Sequence, residues 1–199
     1  MTDMISEHKR LVGAGRPIVD ASRWTKTLTT RTGFRFLVRP ATPADEAALA
    51  EFFTHVTPEQ LRFRFLSAIR KVGHDQLVAM TVVDHYRTES FLALGDDGVV
   101  IATGLIAADA ELERAEVAIS IRADHHHRGI SWTLLEHIAR YADARGIRVL
   151  ESIEARDNRA AIELEQEMGF TARAVDGEPT LVRVERHLGA AQPALAAIA

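Results

Sequence analysis

The stretch from Glu116 to Gly146 limits the possible folds more than any other part of the chain. EVAISIR alternates as a strand does, ADHHHRG is a short polar turn with one glycine, and the following segment sets Ile130, Leu134, Ile138 and Tyr141 or Ala142 on one helical face before Gly146 stops it. A strand that runs through so short a turn into an amphipathic helix brings the helix N-terminus to the strand's end. About four backbone N–H groups lack partners there, and the aligned peptide dipoles add roughly half a positive charge, so the turn can hold an anion. Gly129 lets the backbone approach a phosphate, Ser131 adds a hydroxyl donor and Arg128 a full charge. The same residues also suit an ordinary strand-to-helix junction whose glycine only eases the turn.

Other elements surround this unit. FRFLVRP, 34–40, alternates Phe34, Phe36 and Val38 with Arg35 and Arg39 and is ended by Pro40, a strand pattern. Thr42 and Pro43 open a helix with a Leu49, Phe52, Phe53 and Val56 stripe, Thr57-Pro58-Glu59 opens a second, and a shorter one covers Asp75 to Met80. SFLALGDDGVVIATGLIAA reads as two strands joined by Gly95-Asp96-Asp97-Gly98. RVLESIEA predicts a strand, Asp157 to Met168 a helix with Ala161, Leu164 and Met168 in its stripe, and TLVRVERHL a last strand. An antiparallel run followed by helix-linked strands predicts an α/β (α+β) domain, not a regular βαβ array. The expected organisation is a partly ordered arm over 1–33, one domain over 34–188 and a peripheral tail over 189–199.

Composition narrows the function classes. The 199 residues contain no cysteine, which excludes a disulfide framework, a thiolate metal site and a cysteine nucleophile. A formal charge of -4 without a finger, helix-turn-helix or RNP-like pattern gives no reason to expect nucleic acid. No apolar run approaches the roughly 20 residues of a membrane span, and the N-terminus lacks a signal-like apolar stretch, so the expected location is the cytoplasm. His125, His126 and His127 are consecutive and point in different directions, so no metal is expected.

The turn resembles the acetyl-CoA signature of the GNAT superfamily, Gln/Arg-x-x-Gly-x-Gly/Ala, with His126-His127-Arg128-Gly129-Ile130-Ser131 in its place. The middle glycine is kept, while His126 and Ser131 depart from the pattern. DNRAAIELEQEMGF, 157–170, is similar to the family's Asn-x-x-Ala…Gly-Phe segment, and Thr57 to Phe65 resembles the Ser/Thr-Pro-Glu-x-Leu-x-x-Arg-Phe helix of bacterial protein-lysine acetyltransferases. The resemblance implies a GNAT acyl-CoA N-acyltransferase fold: a mixed, mostly antiparallel, splayed central sheet flanked by helices, with CoA between the strands at 117–122 and 148–153. It implies acetyl-CoA as co-substrate and an amine acceptor, a small molecule or a protein lysine, and it allows a homodimer.

The expected site follows. Backbone groups of Ile119, Ser120 and Ile121 would align pantetheine, and His126, His127, Arg128, Gly129, Ile130 and Ser131 would hold the pyrophosphate. If the His126 or His127 ring served as a donor, CoA affinity would rise as pH falls through about 6.5. Asn158 would cap a helix or, by resemblance, reach the CoA arm, and Arg159 would touch a phosphate or solvent. In the resembled branch a glutamate at the place of Glu116 serves as general base, and a buried carboxylate with a raised pKa suits that task. Many family members use a tyrosine as acid towards the leaving thiolate; Tyr86 and Tyr141 are the only tyrosines, and neither fills the usual position after Asn158. Phe52, Phe53, Phe63 and Phe65 read as core. The alternative is a GNAT fold kept for acyl-CoA sensing or protein interaction.

Overall fold

The computed structural model describes residues 21–189. Its elements in chain order are β1 (Lys26–Thr29), β2 (Arg35–Pro40), α1 (Glu46–Thr54), α2 (Pro58–Phe65), α3 (His74–Thr81), β3 (Thr88–Leu94), β4 (Val100–Ala108), β5 (Arg114–Ile121), α4 (Ile130–Ala144), β6 (Val149–Ala155), α5 (Arg159–Glu167), β7 (Thr171–Val175) and β8 (Glu178–His187). One sheet holds the strands in the order β1-β2-β3-β4-β5-β6-β8-β7. Every neighbouring pair is antiparallel except β5 with β6. The mixed, mostly antiparallel sheet is therefore as expected.

Both faces of the sheet are covered, as the period of a strand requires. Along β3, Phe91 and Ala93 join a core with Leu134, Ile138 and Ala142 of α4 and Val117 and Leu150 of the next strands. The intervening Leu92 and Leu94 join a second core with Leu49, Phe52 and Phe53 of α1, Leu61 of α2 and Leu77 and Met80 of α3. Local chemistry starts these helices as the sequence suggests. Asp45 accepts hydrogen bonds from the Thr42 backbone and hydroxyl and is gripped by Arg39, which with those bonds holds its carboxyl down at about 2. The Thr57 hydroxyl accepts from the Gln60 amide at the head of α2.

Two strands escape the sequence reading. β1 lies in the stretch assigned to the arm, pairing Lys26 with Val38 and Thr29 with Arg35, and β7 adds an outer edge beyond β8. Residues 1–20 of that arm, and the tail from 190, lie outside the described residues.

Gly104 of β4 sets how closely α4 approaches. A Cβ there would meet Ile138 Cδ1 at 2.5 Å, with Ile119 and Leu134 carbons at 3.6 Å. Gly104→Val overfills a close-packed interior and is expected to cost about 2–3 kcal/mol, read as a lower denaturant midpoint in urea unfolding. An unchanged midpoint would mean that α4 yields freely.

Candidate active site

The site is made by a parting of strands. β5 and β6 pair only over Arg114↔Val149, Ala115↔Leu150 and Glu116↔Glu151, although β5 runs on to Ile121 and β6 to Ala155. Arg114 staples the paired end by ion pairs to Glu151 and Glu185. Beyond Glu116 the ladder stops, and the edge of β5 that would have faced β6 opens instead onto a cavity of about 670 Å³. Its walls come from α2, β5, the turn before α4, the first turn of α4, β6 and α5.

At one end stands the N-terminus of α4. Gly129 has φ +78, which L side chains rarely adopt, and a Cβ on it would meet Thr30 Cβ at 3.2 Å. The β1–β2 loop crosses here: the Thr32 hydroxyl donates to the Arg128 carbonyl at 2.9 Å, and the Arg31 guanidinium lies 3.9 Å from the Trp132 ring centroid. Arg31 and Thr32 both line the cavity, so the segment read as an arm supplies part of the anion end. Its short polar sequence, TTRTG, carried no signal of that.

Most of the expected residues meet in this cavity. Glu116, Ile119, Ser120, Ile121, His126, His127, Gly129, Ile130, Ser131 and Asn158 all line it. Arg128 does not: its guanidinium lies 5.0 Å from the Phe34 ring, and only its backbone serves the turn. The His126 ring is also committed, since the Gln60 side-chain amide donates to its Nε2 at 2.8 Å. Burial and the neighbouring His127 lower its pKa, against a hydrogen bond with the Ile121 backbone. The neutral ring therefore ties α2 to the turn, and any change of affinity on its protonation moves below about 6.5. Asn158 stands at the head of α5 without capping it; its Nδ2 donates to Glu154 Oε2 at 2.6 Å. Phe63 is half-buried and lines the cavity instead of joining the core.

The ionisable centre went largely unread in the sequence. Glu116, Glu154, Glu165 and Arg64 all face the cavity, and Arg64 and Glu165 are only 7% and 6% exposed. Burial pushes Glu116 above the usual carboxylate range, with Arg64 pulling back. Burial pushes Glu154 up to about 7, against Asn158 and Arg64 and with Glu116 adding to the rise. Arg64 is lowered to about 10 by burial, offset by the charges of Glu116 and Glu154. The available signal was parity. Glu154 shares its strand face with Leu150 and Ser152, both buried, and Glu165 follows Ala161 by one helical turn.

An acyl-CoA fits these groups. The first-turn amides of α4 suit a pyrophosphate, the unpaired edge of β5 suits the amides of an extended pantetheine, and the buried Ser120 Oγ, without a hydrogen-bond partner, faces the same space. Among the described residues no group of three or more His, Asp or Glu side chains could hold a metal ion, and no helix is long and apolar enough to cross a membrane.

Comparison with known proteins agrees with this geometry. The chain is 27% identical over 167 residues to the acetyltransferase PA5475 of Pseudomonas aeruginosa, covering 82% of this chain and 89% of that protein. It superposes on the crystal structure of the GNAT domain of S. lividans PAT with a TM-score of 0.79 and 28% identity, over 87% of this chain and all of that one. The Salmonella typhimurium protein yncA, solved with its cofactor acetyl-CoA, shares the fold at a TM-score of 0.62 and 21% identity, over 79% of this chain and 96% of that one. Residues 53–170, which carry the parted strands, the turn and the Asn158 helix, match the acetyltransferase (GNAT) family, and the chain belongs to it as an acyl-CoA-dependent N-acetyltransferase.

Proposed function

We propose that the chain moves an acetyl group from acetyl-CoA to a primary alkylamine, a small amine or a lysine side chain, by direct attack with Glu116 as general base. One observation carries the reading: a single cavity joins the amide-rich head of α4 to a carboxyl at the last rung before two strands part. The turn and Ser131 hold the pyrophosphate, and the backbone from Ile119 to Ile121 aligns the pantetheine arm beside Asn158. The thioester carbonyl then lies between the strands, near Glu116. Phe63 and Leu66 give apolar wall for a methylene chain, and Glu116 gives its amino end a carboxylate. Holding the two reactants in line supplies much of the acceleration, and no covalent enzyme intermediate is needed.

Calorimetry with acetyl-CoA and CoA, beside a thiol-release assay on a diamine, a polyamine and a lysine peptide, tests the reading. Acetyl-CoA binding with thiol release on at least one primary amine is expected, and the accepted amine separates small-molecule from protein acceptors. Gly129→Val, strained at positive φ and pressed against Thr30, is expected to weaken acetyl-CoA binding by about tenfold or more. Binding without turnover on any amine would favour an acyl-CoA-sensing module. Absence of binding would sink both.

A further inference from the structure

Acyl transfer from a thioester expels a thiolate, which leaves more easily if a proton meets it. The chain has no cysteine and only two tyrosines, Tyr86 and Tyr141. Both tyrosines lie among the described residues, and neither lines the cavity. Tyr141 is buried between Trp24 and Phe91, with ring centroids at 5.1 and 5.3 Å, and burial raises its hydroxyl far above its ordinary value. Tyr86 lies against the Arg145 guanidinium at 5.2 Å. Three histidines line the phosphate end, and Glu116 serves the amine, which leaves the carboxyls of Glu154 and Glu165.

Glu165 is the better placed of the two to give up a proton. It lies on the cavity face of α5 with Ala161 and Leu164, is 6% exposed, and its Oε2 has no hydrogen-bond partner. An ionised carboxylate accepts several hydrogen bonds, and leaving such an oxygen bare in a buried place costs it dearly; a neutral carboxyl tolerates the place and carries an O–H to donate. The charged groups facing it are Glu154 on β6 and, behind Glu154, Glu116 on β5 and Arg64 on α2. From β8, Arg186 reaches the end of α5, donating to the Met168 carbonyl at 3.0 Å.

We propose that Glu165 is the general acid that protonates the departing CoA thiolate, with Glu154 as the positioning residue that returns its proton. The proposal rests on the acyl-transfer reading above. Glu116 first takes one proton from the ammonium and releases it to solvent; the C–N bond forms as the second proton passes from nitrogen to Glu116. The C–S bond breaks, the Glu165 O–H bond breaks with it, and sulfur leaves as the thiol. Glu116 then restores Glu165 through Glu154, so each turnover yields amide, CoA thiol and one solvent proton. Burial pushes Glu165 up to about 8; the Glu154 charge adds to the rise and the Ser152 hydroxyl beside it pulls back, so Glu165 holds its proton at neutral pH.

The test uses the full chain. Wild-type kcat is expected to fall as pH rises past about 8. Glu165→Gln is expected to lower kcat on the order of 100-fold, keep the calorimetric Kd for acetyl-CoA within about twofold, and abolish that alkaline limb. Glu165→Asp retains an acid and recovers part of kcat together with the limb. Carbon-13 NMR of glutamate-labelled apoprotein supplies a readout apart from activity: one carboxyl, absent in Glu165→Gln, titrates near 8 and moves down in Glu154→Gln. Full turnover with the limb intact in Glu165→Gln, or a Glu165 carboxyl titrating at an ordinary value, overturns the proposal. Wild type that binds no acetyl-CoA overturns the acyl-transfer reading instead, and this proposal falls with it.

Discussion

If Glu116 is the general base proposed above, Glu116→Gln is expected to lower turnover by roughly 10²–10⁴-fold and to leave the affinity for acetyl-CoA within about twofold. A lysine-like amine is more than about 99% protonated at pH 7, so attack depends on a group that takes its proton. Glu116 occupies the last rung paired with β6, where the cavity begins, and its carboxyl faces into that cavity. Burial raises its pKa while the Arg64 charge restrains the rise, and both act on a carboxyl placed away from the amides that would bind pyrophosphate. Gln keeps the shape and removes the proposed base, so kcat is expected to fall and binding is not. The pH profile adds a second discriminator. Wild-type kcat/KM is expected to rise as Glu116 ionises, at a pH raised by its burial, whereas the variant is expected to gain rate only as the free amine fraction grows towards pH 10. Equal turnover of the two proteins across pH would remove Glu116 from the mechanism.

The parts of the molecule legible in sequence are those whose determinants are local. β2 shows its alternation, α4 shows its stripe and stop, and Gly129 announces a backbone position that a side chain would strain. Each depends on neighbours within a few residues. β1 and β7 were not legible, because KTLT and TARAV are short edge strands with little alternation, held by pairing to one partner each. The ionisable centre was hidden for another reason. Arg64, Glu154 and Glu165 look like solvated helix and strand positions until α2 lies across the gap left where β5 and β6 diverge. Arg62 shows how that lid is tied down, with its guanidinium on Asp157 at 2.7 Å, a contact between residues far apart in the chain. The family likeness placed Glu116 and Asn158 and carried Arg64 in the Arg-Phe pair of its helix motif, but it gave that arginine no role and was silent on the carboxyls behind it.

Arg64→Met is expected to destabilise the protein by about 3 kcal/mol at pH 8.5 and by less than about 1 kcal/mol at pH 6. The difference follows from which partners remain charged. Glu154 titrates at about 7 and Glu116 also lies above its ordinary value, both restrained by the Arg64 charge. Carboxyls whose folded pKa is raised contribute stability that is complete below the unfolded value near 4.5 and is lost as pH rises through the folded one. Removing Arg64 raises those folded values further, so the loss becomes deeper and extends to higher pH. At pH 6 Glu154 is mostly neutral and loses little with its counter-charge. At both pH values the variant escapes the burial that pulls Arg64 itself down to about 10, so this offset reduces the loss at each and the contrast between them rests on the carboxyls. Urea unfolding at the two pH values measures the contrast, and Glu154→Gln on the Arg64→Met background should restore much of the stability at pH 8.5. An equal loss at both pH values would mean that Arg64 acts by filling space between α2 and β5, and that the carboxyls across the cavity do not depend on its charge.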